Sequence, residues 1–272
     1  MIKRMLIFLI CFLIFTNNIM AQTGLVTDNA MVVSAREEAS KIGIEIMKMG
    51  GNAFDAMCAT ELALAVAYPY AGNIGGGGFM VYRLANGKTG TLDYREKAPL
   101  LAKKEMYLDQ NGNVIPNLSV NGALSIGVPG TIAAIFEVNK KFGKLSIEQI
   151  FKPVIALARQ GVVVTEKQEK QIATNIENII KISGTETLMS KSYKNGDIIK
   201  YNALAETLEK IMKNGKDEFY KGETAQKIVA FIQKNSGIIS MKDLAKYQPK
   251  WRKPITFDYK NLTITKIGRA HV

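Results

Sequence analysis

Four consecutive glycines, Gly75–Gly78, interrupt this chain between an alanine-rich apolar segment and a run of alternating residues. Such a run stops any helix and lets backbone pass where no side chain would fit. Phe79 to Leu84 then alternates, and Asn86-Gly87 is the strongest short signal for a two-residue type I′ hairpin turn. With that turn, Ala85 opposes Lys88, Phe79 opposes Tyr94 and Gly78 opposes Arg95, unless a bulge at Gly90 shifts the register by one. A guanidinium, the natural fork for a carboxylate, then sits beside a glycine loop rich in free N–H groups. On spacing alone two readings stand: an anion-binding corner, or a tight core hairpin with a solvent-facing arginine.

The elements around this hairpin follow from local signals. Val26 to Val33 reads as a first strand, and Ser34-x-x-Glu37 as a capping box for a helix ended by Gly50-Gly51. A second helix runs from about Ala53 to Tyr68, with Ala56, Ala59, Ala63 and Ala67 spaced for close packing in a buried helix. Asn111-Gly112 marks a turn, and Gly127-Val-Pro-Gly130 opens a helix over Thr131–Phe142. Capping boxes at Ser146/Gln149 and Thr165/Gln168 start two more, and further helices fall near 204–212, 224–233 and 241–247. Ile255 to Lys266 alternates as a hairpin about Lys260-Asn261. Strands at both ends with a helical middle suit an α+β or layered α/β architecture, and neither a repeat nor a linker marks a domain boundary.

The net charge is +12, yet no block of like charges exceeds two or three residues and no aromatics interleave with them. Nucleic-acid surfaces cluster their charge, so these lysines read as solvated helix faces. Residues 1–21 read as an export leader: Lys3 and Arg4, then an apolar run from Met5 to Phe15 too short to span a bilayer, then Ala21 at a cleavage site. The product is then secreted or periplasmic, with no membrane attachment after leader removal. Cys11 leaves with the leader, so Cys58 stands alone as an inert core thiol, with no internal disulfide. Residues 22–266 read as the globular region. Residues 267–272, IGRAHV, match the translation of a common sequencing adapter and read as a scar on a truncated gene product. That tail holds His271, the single histidine of the sequence, so the remainder carries neither a Ser-His-Asp triad nor histidine metal ligands.

The residue inventory for chemistry is thin. Glu61, Asp93, Glu96 and Asp109 lie near the hairpin at spacings that force no acid/base pair, and Asp93 and Arg95 share a strand face as a possible ion pair. The glycine run precedes a strand rather than a helix, the wrong context for a dinucleotide loop. No cofactor and no metal site is expected. By itself this pattern is an anion-recognition corner without a visible nucleophile.

Six stretches in fixed order carry a resemblance: GGNAFDA (50–56), AGNIGGGGFM (71–80), LDYREKAP (92–99), GVPGT (127–131), DEFYKGETA (217–225) and ISMKDLAKY (239–247). Together they resemble the gamma-glutamyltransferase (glutathione hydrolase) family over about residues 25–266. The resemblance implies an N-terminal-nucleophile αββα sandwich, here only the large-subunit part, made as a precursor that cleaves itself into two subunits. The small subunit's N-terminal threonine is then the nucleophile and its own α-amine the base, which activates a hydroxyl without histidine. Glutathione and other γ-glutamyl compounds are the implied substrates, and the small subunit the implied partner.

Arg95 matches the arginine of the family's [DE]-[FY]-R-E-x-A-P motif, which binds the glutamyl α-carboxylate. Gly75–Gly78 and Glu96 are expected to support that site rather than touch substrate. This sequence contains no T-T-H-[FY]-S segment, so no catalytic residue is assigned within it, and the chain alone is expected to be inactive. A cephalosporin-acylase-type amidohydrolase is the nearest alternative, and a non-enzymatic glutamate- or peptide-binding module the more distant one.

Overall fold

The alanine-rich segment ahead of the glycine run becomes the centre of the core. The computed structural model describes residues 24–268. The proposed leader and residues 269–272 of the adapter-like tail lie outside them. Residues 24–31 belong to a separate N-terminal unit, in which the Thr27 hydroxyl donates to the Ala30 carbonyl. Among the described residues, every helix and strand lies in the second unit, from Val32 onward.

Helix α1 spans Glu37–Lys48 and α2 Ala53–Ala67. Along α2, Cys58, Ala59, Leu62, Ala63, Val66 and Ala67 are all 0% exposed, so the helix is enclosed on nearly every side. Around it pack α1, α3 (Thr131–Phe142) and α4 (Ile147–Gln160). Small residues allow the approach: a Cβ on Gly43 of α1 would strike the Thr60 side chain of α2. The two helices are joined by a tight reversal in which Gly51 N–H donates to Ile46 O and Gly50 N–H to Met47 O, with Gly50 at φ +94°. That is the Schellman arrangement expected of Gly50-Gly51.

The glycine run leads into β1 (Phe79–Arg83), which pairs antiparallel with β2 (Thr89–Asp93). Beyond α4 come a two-residue strand β3 (Val162–Val163) and α5 (Glu166–Ser183), then β4 (Ile198–Ile199), which pairs with β3. Next are α6 (Asn202–Asn214), α7 (Lys216–Tyr220), α8 (Glu223–Lys234) and α9 (Met241–Ala245). Strand β5 (Lys250–Arg252) returns to the far edge of β2, giving a three-stranded sheet of order β1-β2-β5. The hairpin β6 (Ile255–Tyr259) and β7 (Leu262–Lys266) turns through Lys260-Asn261 as expected, with Lys260 at φ +53°.

Three expectations change. Residues 26–33 form no strand, and Val26 and Val33 are exposed. The Ser34/Glu37 capping box does not form. Ser34 Oγ is engaged by Ser40 Oγ at 2.8 Å and by the Arg36 carbonyl at 2.7 Å, and α1 starts after Arg36 instead. The boxes at Ser146/Gln149 and Thr165/Gln168 do form, and two more appear at Asn52/Asp55 and Ser240/Asp243.

The third change is the hairpin register. Phe79 faces Asp93, and Gly78 exchanges backbone hydrogen bonds with Tyr94. The shift arises at the turn and not at Gly90. Leu84 N–H donates to Lys88 O and Gly87 N–H to Leu84 O, so Ala85, Asn86 and Gly87 form a three-residue loop. A type I′ turn needs positive φ at both Asn86 and Gly87, but only Gly87 has it, at +84°. Asn86 Oδ1 instead accepts from Lys88 N–H at 3.0 Å, which fixes the alternative turn.

Two carboxyl groups on α2 make the packing testable. Asp55 is 0% exposed, and its carboxylate accepts from the N–H groups of Asn52 and Lys144 and from the Asn139 amide. Asp55→Ala strands those donors and should lower stability by about 3 kcal/mol, read from urea denaturation. Glu61 differs, because burial raises its carboxyl above the ordinary 4.5. Folding therefore favours its protonated form. Its stabilising contribution is present below the unfolded pKa and disappears as pH rises through the folded one. Glu61→Gln should thus change stability little near roughly pH 4 and raise it near roughly pH 7; an equal effect at both would contradict this.

Candidate functional site

Where β2 leaves the sheet, the backbone passes through Tyr94, Arg95, Glu96 and Lys97. Four other segments close around it. The glycine run lies along one side: a Cβ on Gly77 would strike the Tyr94 carbonyl and come within 2.9 Å of Glu96 N. Gly76 O accepts from the N–H groups of Gly130 at 2.7 Å and Thr131 at 3.1 Å, which ties the run to the start of α3. The turn before α3 lies along the other side. Lys97 and Val128 form an antiparallel bridge, with N–H to O distances of 3.1 and 2.7 Å. Gly130 meets both the Tyr94 carbonyl and the Tyr247 hydroxyl, so a side chain there has no room.

Two tyrosines from distant sequence complete the frame. Tyr247 donates its hydroxyl to the Arg95 carbonyl at 2.8 Å, and Lys97 Nζ lies 4.7 Å from its ring centroid. Its ring stacks on Tyr220 with centroids 5.8 Å apart. Tyr220 in turn donates to Pro129 O at 2.9 Å and accepts from Ala133 N–H at 3.2 Å. Burial pushes both phenols up, so each stays a protonated donor at neutral pH. Burial likewise lowers the Lys97 ammonium, with Lys250 nearby adding to the effect.

Asp93 does not pair with the Arg95 guanidinium as its strand spacing allowed. Its Oδ2 holds the Nε and Nη2 of Arg252 at 2.8 and 2.7 Å, while its Oδ1 accepts the Arg95 backbone N–H at 3.0 Å. Strand β5 brings Arg252 there by pairing with β2. The Arg95 main chain is therefore held at both its N–H and its C=O, and its side chain is left free.

That side chain is 62% exposed, with its only ionic contact among the described residues a loose one to Glu96 at 3.4 Å. Arg36, Arg159 and Arg252 contrast with it, each bound to a carboxylate at 2.6 to 2.7 Å. Arg95 also lies 5.8 Å from the Phe79 ring centroid. Among the described residues, the N–H groups of Gly75, Gly77 and Glu96 find no acceptor, whereas those of Gly76 and Gly78 bond to Asn73 O and Tyr94 O. The loosely paired Arg95 guanidinium is thus carried on a backbone segment that lies along the glycine run and whose own Glu96 N–H is unpaired among the described residues.

Asp109, also named from sequence, does not join it and closes its own turn by accepting from the N–H groups of Asn111 and Asn113. Cys58 is buried with its thiol pushed up by burial. No cluster of three His, Cys, Asp or Glu side chains able to hold a metal occurs among the described residues. Beside the glycine run a cavity of about 700 Å3 opens between Gly75, Pro129 and helices α6 and α8, but its walls are chiefly apolar and do not include Arg95. Tyr220, Tyr247 and Arg252 carry no individual site signal in the sequence. The two tyrosines lie inside stretches that carry the resemblance, which is the available signal; Arg252 lies in none.

Comparisons with known proteins fit this frame. The family model described as gamma-glutamyltranspeptidase matches residues 39–271. A glutathione hydrolase proenzyme of Pseudomonas sp. (strain A14) is 41% identical over 251 residues, which is 91% of this chain and 44% of that relative. The chain thus spans less than half the length of this curated relative. The crystal structure of Helicobacter pylori gamma-glutamyltranspeptidase superposes with a TM-score of 0.86 at 41% identity, covering 90% of this chain and 72% of that one. A cephalosporin acylase from Bacillus halodurans superposes at 0.75 with 25% identity, covering 90% and 48%. The mixed helix and sheet described above is accordingly part of the N-terminal-nucleophile hydrolase fold. The chain belongs to the gamma-glutamyltranspeptidase family.

Proposed function

We propose that this chain is the glutamyl-recognising part of a glutathione hydrolase, with Arg95 as the fork for the substrate's α-carboxylate. The observation that carries this is the solvent-facing Arg95 guanidinium, loosely paired while its backbone is fixed. A γ-glutamyl compound offers a free α-carboxylate at one end, and a guanidinium takes such a group through two parallel hydrogen bonds. The higher identity to glutathione hydrolases than to the cephalosporin acylase favours this substrate class over other amides.

The chemistry in this reading belongs to a threonine outside the present sequence, freed at the N-terminus of a small subunit by self-cleavage of a precursor. Its hydroxyl attacks the γ-carbonyl, its α-amine takes the proton, and cysteinylglycine leaves as the amine. The resulting glutamyl ester passes to water or to an acceptor amine, which restores the threonine. In this reading these 272 residues contribute the hold on the substrate's glutamyl end. Residues 1–21 act as an export leader in the same reading, which places the enzyme in the periplasm or outside the cell. Among the described residues no helix is long and apolar enough to cross a membrane.

Steady-state kinetics of the full-length gene product on a γ-glutamyl anilide test the assignment. Arg95→Ala should raise KM by roughly 10- to 100-fold, the equivalent of one bidentate charge-assisted contact, and leave self-cleavage intact. An unchanged KM would remove Arg95 from the site.

A further inference from the structure

We infer that Tyr247 and the Asp93–Arg252 ion pair are positioning residues for Arg95, acting on substrate binding through its backbone. The inference rests on the reading of Arg95 as the carboxylate fork. An exposed arginine on an irregular segment loses affinity if its Cα wanders, because the fork must meet both carboxylate oxygens together. Here the wandering is blocked from two directions. Asp93 Oδ1 holds the Arg95 N–H at 3.0 Å, and Tyr247 donates to its C=O at 2.8 Å.

Each holder is itself held. The Asp93 side chain is largely buried and takes two hydrogen-bond distances, 2.8 and 2.7 Å, from the Arg252 guanidinium. Tyr247 is 4% exposed, stacked on Tyr220 and covered by Lys97. Tyr220 is bonded to the α3 entry at Pro129 and Ala133, so the chain of contacts ends in the core. Neither Asp93 nor Arg252 is free to act as a substrate ligand, since each already satisfies the other. The Tyr247 hydroxyl is committed to a backbone carbonyl. Their geometry serves the one side chain in the group that is not committed. The segment from Tyr247 to Arg252 is therefore a brace: at one end a hydroxyl on Arg95 O, at the other a β-strand whose arginine fixes the group on Arg95 N.

A double-mutant cycle on the full-length gene product, assayed with a γ-glutamyl anilide, separates positioning from general support of the fold. Tyr247→Phe keeps the stacked ring and removes only the hydroxyl. It should raise KM roughly 3- to 10-fold, the loss expected for one hydrogen bond, with kcat within about twofold. In an Arg95→Ala background the same change should alter KM by less than about 1.5-fold, because the side chain it positions is gone. Arg252→Lys, which keeps the charge but loses the two-pronged contact, should behave the same way and stands in if Tyr247→Phe fails to fold. Equal increases in KM in both backgrounds would overturn the inference, as would an unchanged KM for both Tyr247→Phe and Arg252→Lys while Arg95→Ala raises it. If Arg95→Ala alone leaves KM unchanged, the carboxylate-fork reading fails and the inference fails with it.

Discussion

Backbone meets backbone where β2 leaves the sheet, and the rest of the site depends on that contact. Gly77 and Gly130 both face the Tyr94 carbonyl at separations no Cβ would allow. With side chains there, the glycine run and the α3 entry could not close on Tyr94 to Lys97, and Tyr247 could not reach the Arg95 carbonyl. A hydrogen bond from Gly130 N–H to Gly76 O and the Lys97–Val128 bridge then convert proximity into fixed geometry. Five of the six stretches that carried the family resemblance meet at this point; the sixth, at the α1–α2 reversal, anchors the core through Asp55.

The electrostatic design separates two arginines, Arg252 on β5 and Arg95 just past the end of β2. Arg252 pairs with Asp93 at the protein's partly buried edge, where a committed, hydrogen-bonded partner offsets the cost of desolvation. Arg95 stays in solvent with a loose Glu96 contact, of a kind that contributes little to stability. A guanidinium that stabilises little in the free protein is one that can exchange its partner for a ligand at small cost. Fixing the main chain while leaving the fork open reduces what binding must spend on ordering.

Two helix starts were legible from a purely local signal. Ser146/Gln149 and Thr165/Gln168 each specify a helix entry from four residues, and both form. Ser34/Glu37 has the same pattern but fails because Ser40 and the Arg36 carbonyl compete for the hydroxyl. The hairpin was legible and its register was not: one hydrogen bond accepted by the Asn86 side chain from Lys88 N–H chose between two turns that differ by a residue. Strand β5 is Lys-Trp-Arg, too short and charged to show a period, so the partner of Asp93 was invisible. Arg95 could be picked out by residue type and motif. The tyrosine that braces it lies 152 residues away, a separation that local periodicity does not encode.

The central claim is that Arg95 is held by its backbone so that its guanidinium can take a glutamyl carboxylate. A crystal structure of the full-length gene product with L-glutamate bound is the most direct test. The predicted result has Arg95 nitrogens within about 3 Å of both α-carboxylate oxygens, with its carbonyl still on Tyr247. Glutamate bound elsewhere, with Arg95 still resting on Glu96, would contradict it.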